Sequence, residues 1–220
     1  GRADIREVLF SGWSMRDTHA TVSHLRHGFD NWIWGTVGYS GFNGTVGGKD
    51  IRFGQGIFRF KPDGSELEFI RSSNNNTWGL GFTETFEVFA STANNTHSVY
   101  VGIPNRYYEQ VNGLSGQGSK KIDGHYAMHP ITPNVRQVDV FGGFTAAAGH
   151  NFYTARAYPR EYWNRIAFVC EPTGGLVYQG ITEEDGSGYT NVDGWNLVAG
   201  ADEWFSPVHA EVGPDGAVWI

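Results

Sequence analysis

Two stretches of the chain repeat the same hairpin pattern 110 residues apart. Residues 56–64 and 166–174 each contain an apolar run followed by Pro-x-Gly, and a second alternating run follows each turn. Proline at the first central position and glycine at the end are typical of tight turns between antiparallel strands. The repeat therefore predicts an architecture built from successive antiparallel units.

Neighbouring segments extend the repeat. Residues 32–39 correspond to residues 144–150, and residues 78–89 correspond to residues 208–220 at a larger offset. The larger offset predicts about twenty additional residues in a loop over residues 182–206. The units would begin near residues 24, 78, 138 and 208, a spacing typical of four-stranded propeller blades with long loops.

Composition also favours strands over helices. Glycine accounts for 31 of the 220 residues and aromatic residues for 15 %, and both are more typical of turns and strands than of helix interiors. One helical turn is expected, at residues 159–163.

We predict an all-β fold: one β-propeller domain over residues 1–220, present as about three and a third blades of a longer ring. The apolar strand at residues 217–220 would otherwise leave an exposed edge, which predicts a continuation beyond the C-terminus.

Charge and apolar patterning exclude several classes of function. The net charge of −7 comes without a concentrated basic region, so no nucleic-acid partner is expected. No apolar run reaches the roughly 18 residues of a membrane span. The single cysteine, Cys170, lies in an apolar run, which favours a buried, unreactive thiol. Any targeting segment is expected outside this sequence, because the chain begins at Gly1 without a signal peptide.

The histidines and several arginines are the candidates for chemistry. In a propeller, strand starts and loops converge at one mouth of the central channel, where these residue types would form a polar, anion-binding pocket that contains a base. Each histidine alone is also typical of a capped turn or a buried hydrogen-bonding group. The candidate bases are His150 first, then His97 and His19. The candidate anion-binding residues are Arg156, Arg136 and Arg106.

An acidic, glycine-rich segment at residues 182–194 is a candidate calcium loop. Asp185, Asn191 and Asp193 would supply oxygen ligands, although such loops are also common as simple solvated turns. Tryptophans along the chain could stack on sugars, although at alternating strand positions they are more often core residues.

Four segments resemble one protein family. They are similar to bacterial propellers described as membrane-bound dehydrogenases. The segments are residues 142–156 (GGFTAAAGHNFYTAR), 161–174 (EYWNRIAFVCEPTG), 202–216 and 19–41. That family is related to glucose and sorbosone dehydrogenases and is often fused to a haem c domain with a Cys-x-x-Cys-His motif. Neither that motif nor the cysteine that many relatives carry in the loop at residues 146–148 is present in this chain.

The resemblance covers nearly the whole chain and implies a function. It implies a propeller of the six-bladed type, periplasmic or secreted, that oxidises a carbohydrate-type substrate and passes electrons to a fused or partner cytochrome c. Pyrroloquinoline quinone and Ca²⁺ are the implied cofactors, with a histidine that takes the alcohol proton and arginines that hold the quinone carboxylates. A non-catalytic propeller that binds glycans or proteins, and a purely structural scaffold, stay open as alternatives.

Overall fold

Three four-stranded antiparallel sheets follow one another along the chain. The computed structural model describes residues 3–94, 96–115, 118–137 and 141–220. Its first six strands are Val22–His27 (β1), Ile33–Val37 (β2), Phe42–Val46 (β3), Lys49–Phe53 (β4), Gly56–Phe60 (β5) and Leu67–Arg71 (β6). The first sheet has the order β1-β2-β5-β6, and β3 and β4 form a separate hairpin between its second and third strands.

The second and third sheets are simple meanders. The second has the order β7-β8-β9-β10 and the third the order β11-β12-β13-β14, and β15 pairs with β16 after them. The second sheet consists of Thr77–Phe82 (β7), Val88–Thr92 (β8), Thr96–Tyr100 (β9) and Lys120–Lys121 (β10). The remaining strands are Ala148–Phe152 (β11), Ile166–Glu171 (β12), Leu176–Asp185 (β13), Gly188–Ala199 (β14), Glu211–Val212 (β15) and Val218–Trp219 (β16).

The first strands of successive sheets lie side by side, which is the arrangement of a β-propeller. β1 contacts β7, β7 contacts β11, and β11 contacts β15. Apolar clusters fill the spaces between the sheets: one contains Trp34, Ile57 and Leu80, and another contains Phe168 and Ala210. The fold is therefore the predicted all-β propeller, with β1, β7, β11 and β15 nearest its axis.

Two glycines on β7 allow this strand to approach β11 closely. A Cβ atom on Gly81 would overlap the carbonyl oxygen of His150 and lie 2.7 Å from its carbonyl carbon. Gly79 faces the carbonyl group of Gly149 in the same way. Glycine is required here because only a residue without a side chain permits two backbones to come so close.

The predicted Pro-x-Gly hairpins are confirmed. The turn at Pro62 joins β5 to β6, and the turn at Pro172 joins β12 to β13. The correspondence of residues 32–39 with residues 144–150 is wrong by one strand, because the first segment forms β2 and the second leads into β11. The predicted unit start near residue 138 lies outside the described residues, and the third sheet begins at Ala148.

The predicted loop over residues 182–206 is mostly a long hairpin. β13 and β14 pair as far as Asp185 and Gly188, so strand pairing replaces the expected loop. The expected helical turn is confirmed as the 3₁₀ helix Arg160–Tyr162, and 3₁₀ helix Thr18–Ala20 and α1 (Asn105–Tyr108) were not predicted.

Cys170 is fully buried and not in a disulfide. The prediction that Cys170 is buried is therefore confirmed, and burial, followed by the negative charge of Glu171, raises the pKa of its thiol to about 12, which disfavours the reactive thiolate.

Candidate functional site

A cavity lies among the first strands of the sheets. It has a volume of about 470 Å³, which is in the range of small-molecule sites. Polar side chains from β1 and from the segment leading into β15 contribute to its wall. The described lining residues are Thr18, His19, Thr21, Ser23, His24, Leu25, Arg26, Thr77, Trp78, Ala148, Val208, His209 and Glu211. We call it the axial cavity.

A β-bulge places His24 in the wall of this cavity. The pairing of β1 with β2 shifts between Ser23 and Arg26, and His24 adopts the left-handed conformation with φ of 56°. Its buried Nε2 has no hydrogen-bond partner among the described residues. Strained backbone and an unpartnered polar atom are frequent at functional sites. Burial, helped by the charges of Arg26 and His209, lowers the pKa of His24 to about 3, so its ring is neutral at neutral pH.

His209 faces His24 and is held by a carboxylate. The two imidazole rings lie 5.2 Å apart between centroids, and His209 Nε2 lies 3.3 Å from Glu211 Oε2. The other carboxylate oxygen, Oε1, accepts a hydrogen bond of 2.9 Å from Arg26 Nη2. The cavity thus contains an imidazole–carboxylate–guanidinium chain, in which the carboxylate can orient the imidazole for proton transfer.

Arg26 connects all four strands nearest the axis. From β1, its Nη1 donates to the carbonyl oxygen of Leu80 on β7 at 3.1 Å and to Asn151 Oδ1 on β11. Its Nη2 reaches Glu211 on β15, and its guanidinium lies 5.5 Å from the ring centroid of Phe82. Arg26 and Glu211 line both the axial cavity and a second cavity of about 170 Å³.

His19 is the one predicted site residue that lines the axial cavity. It lies in the 3₁₀ helix before β1, and its side chain is 81 % exposed. Its Nδ1 lies 3.4 Å from Asp17 Oδ1. His19 is thus more exposed than His209, whose side chain is 45 % exposed, and than the partly buried His24.

His150 and His97 are fully buried away from the axial cavity. The hydroxyl of Ser98 lies between them, 2.9 Å from His150 Nε2 and 3.0 Å from His97 Nδ1. The His150 ring stacks on Phe89, with centroids 5.5 Å apart. These two histidines bridge the second and third sheets, and their burial does not support the prediction that they act as bases on a substrate.

Acid is expected to destabilise the protein through these buried rings. Burial lowers the pKa of His150 to about 4 and that of His97 well below its usual value. Because folding favours the neutral ring, the stabilisation is complete above pH 6.5 and is lost as the pH falls towards 4. For His150 the loss is about 3 kcal/mol by pH 4. Protonation of Asp123 has the opposite effect on stability. Burial raises its pKa to about 6, so acid stabilises the folded state through this group.

Comparison with a variant isolates the contribution of His150. Urea unfolding between pH 7 and pH 4 should show a smaller acid-induced loss of stability in His150→Gln than in the wild type, by about 3 kcal/mol. Parallel pH profiles for the two proteins would contradict this prediction.

The three predicted anion-binding arginines lie outside the axial cavity and have other partners. Arg156 forms a bidentate ion pair with Glu84, at 2.7 and 2.9 Å. Arg106 pairs with Glu68 at 2.5 Å. Arg136 donates to the carbonyl oxygen of Glu203. The structure therefore does not bring these arginines together into the predicted clamp.

The predicted calcium ligands do not converge either. Asp185 pairs with Gly188 at the hairpin tip, while Asp193 lies five residues further along β14, about 16 Å away at the usual rise of a strand. Asn191 lies between them and donates to Thr182. Asp193 instead lies 2.6 Å from His129 Nε2. Among the described residues, no group of three or more His, Cys, Asp or Glu side chains could hold a metal ion.

The axial cavity does not fit pyrroloquinoline quinone. This quinone carries several carboxylates and needs several cationic partners, whereas Arg26 is the single guanidinium among the described lining residues. Both terminal nitrogens of Arg26 are already hydrogen-bonded, and Glu211 adds a negative charge. The described lining of the axial cavity therefore does not supply the cationic partners that the quinone would need.

The repeat contains a signal that could have identified the key residues. His24 and Arg26 in the first unit align with His209 and Glu211 in the fourth, each a histidine with an ionisable residue two positions later. Equivalent positions in propeller units face the same axis. Superposing the units would have placed these four residues together.

No helix in the described part of the chain has the length and apolar character needed to cross a membrane.

Comparisons with known proteins identify a family. No curated protein matches the chain significantly. A crystal structure from Thermus thermophilus, described provisionally as an oxidoreductase (glucose dehydrogenase), is similar at 12 % identity with a TM-score of 0.48, over 91 % of this chain and 77 % of that chain. The model of the family "Domain of unknown function (DUF7133)" matches residues 1–220, and the chain therefore belongs to this family.

Proposed function

We propose that this dehydrogenase-like propeller binds a carbohydrate-type alcohol in the axial cavity and that His209 takes the hydroxyl proton. The observation that carries the proposal is the chain His209–Glu211–Arg26, which lines a cavity large enough for a sugar. The dehydrogenase resemblance of the sequence supplies the reaction class.

His209 is better suited than His24 to act as the base. A base is most effective when its pKa lies near the working pH, and the pKa of His24 is lowered to about 3. Glu211 accepts from protonated His209 and so stabilises the charge that proton transfer creates.

Oxidation of the alcohol also requires an acceptor for hydride. Amino-acid side chains do not accept hydride, so the proposed function requires a redox cofactor or carrier as the acceptor. Electrons would then pass to a haem c domain, as the resemblance implies, in the periplasm or outside the cell.

Replacement of His209 tests the proposed base. In His209→Asn we expect kcat to fall by at least about 100-fold, the usual contribution of a general base. Sugar affinity should change little, because the proton moves only during the reaction. The assay measures reduction of an artificial dye by the full-length protein with a panel of sugars and soluble quinone, flavin and nicotinamide cofactors. Calorimetry measures sugar binding in parallel.

His125→Asn provides a matched control. His125 is also held by a side chain, with its Nε2 3.0 Å from the Tyr178 hydroxyl, but it lies outside the axial cavity, so this variant should keep the wild-type rate. Equal rates for His209→Asn and the wild type would refute the role of His209. Sugar binding without turnover under every condition would favour a non-catalytic function.

An exposed tryptophan favours glycan binding as a second candidate function. The Trp195 indole is 61 % exposed and lies parallel to the His129 ring, with centroids 3.7 Å apart. Asp193 accepts a hydrogen bond from the backbone N–H of Trp195 at 2.8 Å and lies 2.6 Å from His129 Nε2. A rigid, exposed aromatic face beside polar groups can stack on a sugar ring. Loss of glycan binding in Trp195→Ala with unchanged turnover would assign the two functions to separate places.

A further inference from the structure

The axial cavity contains one partly buried positive charge, Arg26, whose counter-charge, Glu211, is half exposed. The Arg26 side chain is 24 % exposed, and its hydrogen-bond acceptors are Leu80, Asn151 and Glu211. The first two acceptors are neutral. Glu211 is therefore the group that neutralises Arg26, and burial lowers the pKa of the guanidinium while Glu211 opposes this effect.

The remaining wall of the cavity adds no permanent charge. Among the described lining residues, Arg26 and Glu211 are the one basic and the one acidic side chain, and the other polar groups are hydroxyls and imidazoles. The charges of Arg26 and Glu211 cancel as long as the pair is intact. A partly buried charge that loses its partner is unfavourable and attracts a replacement counter-ion.

We propose that Glu211 sets the substrate class of the site: it selects neutral polyhydroxylated ligands and rejects their carboxylate forms. This inference rests on the proposed function, because it assumes that the axial cavity binds a sugar-like molecule. Glu211 occupies the anion-binding side of Arg26, so a uronate would meet a carboxylate where it needs a cation. A neutral sugar instead finds hydroxyl and imidazole partners without disturbing the pair.

Removing only the charge of Glu211 should reverse the preference. Glu211→Gln keeps a side chain of nearly the same shape but leaves Arg26 without a counter-charge. The Arg26 guanidinium then becomes an anion site in the axial cavity, since its fork of donors matches a carboxylate. The variant should prefer uronates over neutral sugars.

The test compares each neutral sugar with its own uronate. Calorimetric titrations at pH 8 use glucose and glucuronate, galactose and galacturonate, and inorganic phosphate as a small anion. We expect the wild type to bind a neutral sugar at least about 10-fold more tightly than its uronate. Glu211→Gln should reverse this ratio and bind phosphate, with an affinity that falls as salt is added.

A double variant controls for folding and for the shape of the cavity. Arg26→Met combined with Glu211→Leu removes both charges, a change that proteins usually tolerate better than loss of one partner. It should bind neither uronate nor phosphate. Thermal melting of every variant shows whether it is folded.

The outcomes separate this inference from the proposed function. A folded Glu211→Gln protein that still rejects uronate and phosphate, or a double variant that binds them equally well, would overturn the role of Glu211. If the wild type binds no neutral sugar, the proposed function fails, and phosphate binding by Glu211→Gln still decides whether Glu211 neutralises an anion site.

Discussion

Gly81→Ala is expected to destabilise the protein by at least about 3 kcal/mol, at the upper end of the cost of overpacking. The added methyl group would overlap the carbonyl group of His150, which is backbone and cannot change rotamer. β11 cannot move away easily, because it pairs with β12 and because Asn151 holds both Arg26 and Ala210. The first strands of the second and third sheets must therefore separate.

Thermal melting measures this effect. A loss of 3 kcal/mol corresponds to a decrease in Tm of roughly 6–12 °C in a protein of this size. Gly54→Ala is the matched control, since a Cβ atom there meets nothing within 4 Å, and its Tm should change little. A Gly81→Ala protein that melts with the wild type would show that β7 and β11 are not so closely packed.

Glu171→Ala is expected to be similarly damaging, with a loss of about 3–6 kcal/mol. The fully buried carboxylate accepts backbone hydrogen bonds from Thr145 at 2.8 Å, Ala146 at 2.9 Å and Thr173 at 3.2 Å. It also accepts from the Thr173 hydroxyl at 2.5 Å. Alanine would leave these donors without their partner, and each one costs about 1–3 kcal/mol if it is buried.

Urea unfolding of Glu171→Ala and Glu66→Ala provides the comparison. Glu66 lies in the corresponding hairpin of the first sheet and is exposed, so its replacement should change the free energy of unfolding by less than about 0.5 kcal/mol. Equal stabilities for the two variants would mean that the Glu171 carboxylate does not hold the segment before β11.

Local patterns made the hairpins predictable from the sequence. The turns at Pro62 and Pro172 depend on a few adjacent residues with fixed conformational preferences, and both occur in the structure as expected. The register within the repeat was harder to determine. Residues 32–39 and 144–150 are both apolar and glycine-rich, and this composition does not distinguish the first strand of a sheet from the second.

The candidate site was less predictable because its geometry is not local. The wall position of His24 depends on a bulge, which the alternation of β1 does not reveal. The predicted calcium segment is rich in glycine and acidic residues, but pairing of β14 with β13 keeps it extended. His150 and His97 could not be recognised as buried because each is covered by another sheet.

The hydrogen bonds of Arg26 have a consequence for the order of folding. They join residues separated by 54, 125 and 185 positions in the chain, whereas the strands within each sheet are mostly joined by short turns. Contacts across long separations form late, because the entropy of closing a large loop must first be overcome. We therefore expect the individual sheets to form early and the axial cavity last. A chain that stalls during folding would have native hairpins and no ligand site, so ligand binding reports that the whole domain has assembled.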